Sequence, residues 1–344
     1  MLSQTSSSST ACRWTPHGIT AHSSSPIGRT VSRGFKNSTT ALLTQSRKAS
    51  FGSKPCPNRY ALGCNFPVRG RMPDSWLAAA AADIEEMDYD LDLVIEVYDD
   101  AEEVAEALCE AVMVSADIAL SKRGAFTLAI PGGSVAKALG DLANSGKADI
   151  DWEKVYLFFV NERLEGKNYK LAKEVFLDKV GIPESQVFTV SDTDPDTEAA
   201  KYEESLLSLP EEVMPRAPSG LPRFDLVLLG AGADGHVGSI YPNSAEAEAD
   251  GCILAVNRPD KKSITFSLPL LNAAEQVVVA ATGAGKAEMV QTALEDPNVG
   301  IELPAGCVRC NEKGTVVWML DQGSSGKLEP DDDDFSDYTE EDSG

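Results

Sequence analysis

Residues 224–242 read FDLVLLGAGADGHVGSIYP. The apolar run 226–229, closed off by glycine, is the pattern of a strand buried on both faces, as in a parallel sheet covered by helices. The glycine-rich stretch beyond it, GAGADG at 230–235, matches the GxGxxG pattern of a dinucleotide-binding turn. Such a turn must open a long helix and lead to a second strand ending in an acidic residue. Here His236-Val-Gly-Ser-Ile-Tyr-Pro242 is too short and too often broken by glycine and proline to be that helix. Asp250 also precedes the next strand-like run instead of ending it. Nicotinamide and flavin binding are therefore set aside, leaving a strand end rich in glycine that carries a histidine. The chain has three histidines, and His17 and His22 lie near its N-terminus, so His236 stands alone in the rest.

Outward from this strand, apolar runs alternate with helical patterns. Strands are expected at 94–98, 126–130, 155–160, 187–190, 225–229, 276–281 and 315–320. Helices are expected at 101–120, 135–144, 170–180, 197–209 and 285–294, with Val104, Leu108, Val112 and Ile118 on one face of the first. The alternation implies a three-layer, Rossmann-like α/β fold, a mostly parallel sheet with helices on both faces. Ligands of such sheets collect at the carboxyl ends of the strands. Three of those ends carry unusual residues: Pro131-Gly-Gly-Ser134, Asn161-Glu-Arg163 and the stretch from Gly230 to His236.

Composition divides the chain. Residues 1–73 contain no Asp or Glu, ten Lys or Arg and an excess of Ser and Thr, which is the composition of a disordered transit peptide. The Ser and Thr excess favours a plastid, and hence the chloroplast stroma, over a mitochondrion; a disordered tail on a cytoplasmic protein is the plain alternative. Residues 74–92 read as a linker, 93–328 as the catalytic domain and 329–344 as a disordered acidic tail. All 54 acidic residues but only 20 of the 30 basic ones lie from Asp74 onward, a net charge of −34. Nucleic acid and anionic membranes are excluded as partners by that charge, whereas a small anion held by a few focused cations is not. No apolar run approaches the roughly 20 residues that span a bilayer. Cys307-Val-Arg-Cys310 has metal-ligand spacing but no second ligand pair, so ordinary core or loop cysteines are expected, with a regulatory thiol pair as the alternative.

Two further motifs mislead. Gly133-Ser134-Val135-Ala136 approaches a nucleophile elbow but lacks its last glycine, and Gly283-Ala-Gly-Lys286 lacks both the first glycine and the Ser or Thr of a P-loop. Pro131-Gly-Gly-Ser134 reads instead either as an anion-capturing turn, with backbone amides at a helix start, or as a plain strand-to-helix turn. His236 offers a base that takes a proton from water at neutral pH, with Asp234 or another carboxylate fixing its tautomer.

Taken in order, these residues resemble the 6-phosphogluconolactonases of the glucosamine/galactosamine-6-phosphate isomerase superfamily, from about residue 94 to 328. Pro131-Gly-Gly-Ser134 is similar to that family's SGGST loop, Asn161-Glu-Arg163 to DER, Lys167-Asn-Tyr169 to SNY, and residues 224–242 to FDLxLLGxGxDGHxASLFP. Residues 264–269 (ITFSLP), 282–287 (TGAGKA) and 317–321 (VWMLD) continue the match. The resemblance implies a sheet of the sugar-phosphate isomerase type and hydrolysis of a phosphorylated lactone. It implies that His236, with Asp234, activates water, that Gly132, Gly133, Ser134, Arg163, Asn168 and Lys286 bind the substrate and its phosphate, and that neither metal nor organic cofactor takes part.

Departures from the pattern carry information. Asn161 replaces the acid of DER, which serves proton transfer in the deaminase and isomerase relatives, so its loss argues for hydrolysis over isomerisation or for lost activity. Ser263 falls where the family has a phosphate-binding Arg. Lys261 or Lys262 would have to supply the charge, and an offset of one residue in a strand reverses a side chain whereas two displace it. The loop after Arg163 is shorter than the family's, which bears on where Asn168 and Tyr169 sit. The competing readings are a sugar-phosphate deaminase or isomerase, and a catalytically silent sugar-phosphate binder or assembly protein on the same fold.

Overall fold

A computed structural model of the chain describes residues 47–48, 92–143, 150–296, 298–310 and 313–329. Apart from Arg47–Lys48 and Asp92, the expected transit peptide and linker lie outside the described residues, as does the acidic tail beyond Glu329. The main sheet is built from β1 (Arg47–Lys48), β2 (Asp92–Tyr98), β3 (Phe126–Ile130), β4 (Val155–Phe159), β6 (Leu226–Gly230), β9 (Gln276–Ala281) and β10 (Thr315–Asp321), in the order β1-β2-β10-β9-β6-β3-β4. Six of these strands are parallel, and the two-residue β1 pairs antiparallel on the edge with β2. A second, antiparallel sheet consists of β5 (Asn161–Arg163), β8 (Lys261–Phe266) and β7 (Ile253–Arg258).

Each parallel strand sends alternate side chains to opposite faces. Leu226, Leu228, Val278, Ala280, Val317 and Met319 pack on one face with Val104, Leu108 and Val112 of α1 (Ala101–Arg123) and Val135 of α2 (Gly133–Ala138). Val227, Leu229, Val277, Val279 and Trp318 pack on the other. There they meet Tyr202 and Leu206 of α4 (Pro195–Leu207), Met289 and Val290 of α6 (Ala287–Glu295), and Ile264 and Phe266 of the small sheet. The three-layer α/β reading therefore holds.

Local chemistry sets the helix ends. Asp100 caps α1 by accepting from the Glu102 and Glu103 amides, and Gly124 closes it in the left-handed region at φ 73°. Asp194 caps α4 ahead of Pro195 at its first turn. Between them α3 (Lys167–Ala172) runs through a π-helical turn, Lys173–Leu177, into Asp178–Val180, and α5 (Leu268–Asn272) and α7 (Gln322–Ser325) are single short turns.

Four details depart from the sequence reading. Residues 187–190 form no strand; Val187 makes a single parallel bridge to Leu157 outside the β4 edge. Ile118 is 47% exposed, because the face of α1 that meets the sheet is used up by Val104, Leu108, Val112 and Ala116. Asn161–Arg163 is not the tail of β4 but a strand of its own. After Val160, whose amide bonds to the Ile130 carbonyl, the chain leaves the parallel sheet and pairs with β8. Residues 253–258, the strand-like run after Asp250, and 261–266 pair as an antiparallel hairpin in a second sheet, which was not expected. Cys109, Cys252, Cys307 and Cys310 form no disulfide, and burial pushes the Cys310 thiol up to about 12.

Asp225, next to β6, ties three elements together. Its Oδ2 accepts from Arg123 Nη2 at 2.5 Å, from the Thr127 amide at 2.8 Å and from Thr127 Oγ1 at 2.8 Å. Its own amide donates to Thr127 Oγ1 at 3.0 Å. Asp225→Ala would leave the buried Thr127 amide and hydroxyl without their acceptor and the Arg123 guanidinium with only the Glu212 carbonyl, and is expected to cost about 3 kcal/mol of stability. Urea unfolding with an unchanged m value checks this; a loss under about 1 kcal/mol would mean that water replaces the carboxylate at no cost.

Candidate active site

The strand order places the crevice. β3 and β6 are neighbours, yet the chain leaves β3 toward the α1 face, where Val135 of α2 packs, and leaves β6 toward the other, where Val237 and Ile240 are buried. Where adjacent parallel strands send their connections to opposite faces, the carboxyl ends open a cleft. Residues 131–134 and 230–241 border it.

The stretch after β6 closes on itself instead of opening a helix. The Gly232 amide bonds to the His236 carbonyl at 2.8 Å, the Gly235 amide to the Gly232 carbonyl at 3.0 Å, and Val237 and Ile240 exchange backbone bonds. Gly235 sits at φ 83° with Leu303 occupying the space a Cβ would need, and Gly238 sits at φ 57°. The next helical element is the single 3₁₀ turn Ala245–Ala247, so the GxGxxG match has no dinucleotide geometry.

This closed turn presents His236. Its Nδ1 lies 2.5 Å from Asp234 Oδ1, which also accepts the His236 amide at 3.3 Å. A carboxylate only accepts, so Nδ1 carries the proton, and in the neutral imidazole Nε2 is left with a lone pair. Partial burial pushes the Asp234 carboxyl up, but the hydrogen bonds from the His236 side chain and amide and the attraction of the imidazole outweigh it and hold the carboxyl below its usual range. A Cβ on Gly232 would overlap both His236 Nδ1 and Asp234 Oδ1, so glycine at 232 is what lets the pair form. The imidazole stacks on Tyr241, with ring centroids 4.9 Å apart and planes 29° apart.

One face of the antiparallel sheet meets this turn. Asn161 stands opposite Thr265 and Arg163 opposite Ser263, so Asn161, Arg163, Lys261, Ser263 and Thr265 share a face and Lys262 points away. Ser239, fully buried, collects three of them: Asn161 Nδ2 at 3.1 Å, Lys261 Nζ at 2.9 Å and Ser263 Oγ at 3.4 Å. Lys261 Nζ also donates to Tyr241 Oη at 3.2 Å, and the Arg258 guanidinium lies 4.3 Å from the Tyr241 ring centre.

The short loop after Arg163 is held by Glu162. That buried carboxylate accepts from the amides of Arg163 at 2.8 Å, Asn168 at 2.9 Å and Tyr169 at 2.6 Å. Burial pushes its pKa up, against the pull of those amides. The loop so fixed seats Asn168, whose Nδ2 donates to the Asn161 carbonyl at 2.6 Å and whose side-chain amide fills the space that a Cβ on Gly132 would take. Gly133, at φ 71°, and Ser134 lie beside it at the start of α2.

Of the expected site residues, His236 and Asp234 are directly bonded, and Gly132 packs on Asn168. Lys286 reaches the same turn from the start of α6, donating to the Ala231 carbonyl at 2.7 Å; its ammonium is held below the usual lysine range by burial, with Asp234 opposing. Arg163 lies on the facing strand and forms no ion pair with a described residue, and neither it nor Ser134 hydrogen-bonds to His236. Tyr241 and Ser239 were not expected at the site, and Lys261 was expected only as an alternative to Lys262 for the charge that Ser263 lacks; the pairing of β5 with β8 puts Lys261 on the side of the site and Lys262 on the other. The signal for Lys261 was the two-residue alternation 261, 263, 265, legible once β8 is known to be a strand.

Comparison with known proteins fits this geometry. Residues 99–318 match the family model described as glucosamine-6-phosphate isomerases/6-phosphogluconolactonase. The chain is 36% identical to 6-phosphogluconolactonase 3, chloroplastic, of Arabidopsis thaliana, over 68% of this chain and 75% of that one. It is 34% identical to probable 6-phosphogluconolactonase 1 of the same plant, over 68% of this chain and 93% of that one. The crystal structure of 6-phosphogluconolactonase from Leishmania guyanensis superposes with a TM-score of 0.58 at 25% identity, covering 69% of this chain and 98% of that one. With a closed glycine turn in place of a dinucleotide site and a family match running from just past β2 into β10, the chain belongs to the glucosamine-6-phosphate isomerase/6-phosphogluconolactonase family.

Proposed function

We propose that the protein hydrolyses 6-phospho-D-glucono-1,5-lactone to 6-phospho-D-gluconate in the oxidative pentose phosphate pathway, with water activated by His236. The observation that carries this reading is the His236–Asp234 pair at the switch-point crevice, with Nδ1 occupied and Nε2 left to accept a proton. In the proposed step, Nε2 takes a proton from water as its oxygen attacks the lactone carbonyl carbon. The tetrahedral oxyanion then collapses, the bond from that carbon to the ring oxygen breaks, and the imidazolium returns its proton to the departing oxygen. The amides of Gly132, Gly133 and Ser134, with Lys286 and Arg163, are assigned to the phosphate, and Asn168 to the sugar. Anchoring the phosphate would fix the ring so that attack becomes effectively intramolecular.

Asn161 favours hydrolysis over isomerisation. Its side chain is a neutral amide already engaged with Ser239 Oγ, so it offers no proton-transferring acid, whereas hydrolysis by one base and water needs none. Chloroplastic relatives and the Ser/Thr-rich, acid-free residues 1–73 support a plastid location.

His236→Ala is expected to lower lactone hydrolysis by something on the order of 10²–10⁴ while binding of 6-phosphogluconate survives. The assay couples product to 6-phosphogluconate dehydrogenase and subtracts spontaneous hydrolysis; a mutant as fast as wild type would remove His236 from the chemistry. Gly232→Ala should push the imidazole off its carboxylate and cost about a hundredfold in kcat. Unchanged kcat in a folded Gly232→Ala protein would mean that the pairing is dispensable. Residues 1–73 fused to a fluorescent protein should carry it into chloroplasts, and a mitochondrial or cytosolic signal would overturn that location.

A further inference from the structure

Lys261 reaches from the antiparallel sheet to the turn that carries His236. Its Nζ has three N–H donors. One goes to Ser239 Oγ at 2.9 Å and one to Tyr241 Oη at 3.2 Å, both neutral hydroxyls. Among the described residues no carboxylate pairs with it, in a chain that carries 54 acidic side chains. Some surface lysines of this protein do find such partners, among them Lys154 with Asp151 and Lys201 with Asp192, each at 2.7 Å. A cation held half-buried by dipoles alone lacks the counter-charge that would offset its lost hydration.

Its position makes that counter-charge a ligand. Lys261 shares a strand face with Ser263, Thr265 and, across the pairing, Arg163 and Asn161. Ser263 is too short to reach past Ser239, whose hydroxyl it meets at 3.4 Å, and it carries no charge. Lys261, two residues earlier on the same face, extends over that short side chain to the same Ser239 oxygen. Its other partner, Tyr241, is the ring on which His236 stacks, so the ammonium is tied to the turn that carries the base. Lys286 holds the beginning of that turn, at Ala231, and Lys261 holds its end, at Ser239.

We infer that Lys261 is the cation through which the antiparallel sheet binds the substrate's phosphate, taking the place that Ser263 leaves empty, and that it selects phosphorylated over unphosphorylated sugar acids. This rests on the functional reading above and adds to it a specificity-determining residue. Lys262, on the opposite face, has no part in it.

Calorimetric titration of the full chain with 6-phosphogluconate and with gluconate tests the assignment. Wild type should bind the phosphorylated acid at least tenfold more tightly, and Lys261→Met should lose about tenfold or more of that affinity, as expected for removal of a charge-assisted contact. Lys261→Arg, which keeps the charge, and Lys262→Met should stay within about threefold of wild type. Adding Ser263→Arg to Lys261→Met should recover affinity by restoring a cation on that face. Lys261→Met binding like wild type would overturn the inference, as would equal losses in Lys261→Met and Lys261→Arg, which would mark shape and not charge. Wild type that binds 6-phosphogluconate through Lys261 without hydrolysing the lactone would sink the hydrolase reading and leave the anchor standing. Full hydrolysis indifferent to Lys261 would do the reverse, and no binding by wild type would overturn both.

Discussion

The bond from the Gly232 amide to the His236 carbonyl is the constraint on which the site depends. It closes five residues into a turn, so that the chain leaving β6 satisfies its own backbone and needs no helix to do so. Once closed, the turn fixes where residue 236 stands and leaves room at 232 for the Asp234 carboxylate and the imidazole to meet. Gly235 then adopts a left-handed conformation, and its carbonyl accepts from Ala305, which ties the turn to the segment ahead of β10. The glycines of GAGADG therefore serve a compact turn and a tight side-chain pair, where the same spacing in a dinucleotide fold would serve a pyrophosphate.

Around this turn the electrostatics run against the rest of the chain. A net charge of −34 from Asp74 onward repels anions at long range, yet Lys286, Lys261, Arg258 and Arg163 are gathered about residues 231–241 and the strands facing them. Cations gathered in one place focus the field locally and outweigh diffuse surface charge, which is screened beyond about 8–10 Å. The arrangement suits a small anion that enters a cleft and suits an extended polyanion poorly.

Much of this was legible in the sequence. Apolar runs at 126–130, 226–229, 276–281 and 315–320 have nowhere to go but a sheet covered on both faces, and the strand ends then point to residues 131–134 and 230–236. The antiparallel sheet was not legible, because Asn161–Arg163 is three polar residues long and takes strand geometry only by pairing with β8, about a hundred residues later. The same reason left the choice between Lys261 and Lys262 open: which of them faces the site is decided by the pairing of β8 with β5. Residues 187–190 misled in the other direction, since their apolar alternation serves packing, as in the stacking of Phe188 on Phe158, and not a ladder. Asp225 looked like one letter of a motif that includes His236, yet its carboxylate is spent on Arg123 and Thr127, so its role in the motif is to anchor the strand that carries the turn.

The Asn161 substitution joins these threads. An acid at that position would place a negative charge against the Ser239 hydroxyl that Lys261 also contacts, and the lysine would then pair within the protein. With an amide there, Ser239 takes a neutral donor on one side and the ammonium on the other, and the charge of Lys261 stays uncompensated. Losing the acid thus does two things at once: it removes a group that proton shuttling between carbons needs, and it leaves a cation available to an anionic ligand. For the proposed hydrolysis by one base and water the first change costs nothing, and the second is what the proposed phosphate contact of Lys261 requires. On that argument Asn161 and Ser263, which look like two separate losses in the sequence, are coupled through Ser239 and Lys261 into a single rearrangement of the same pocket.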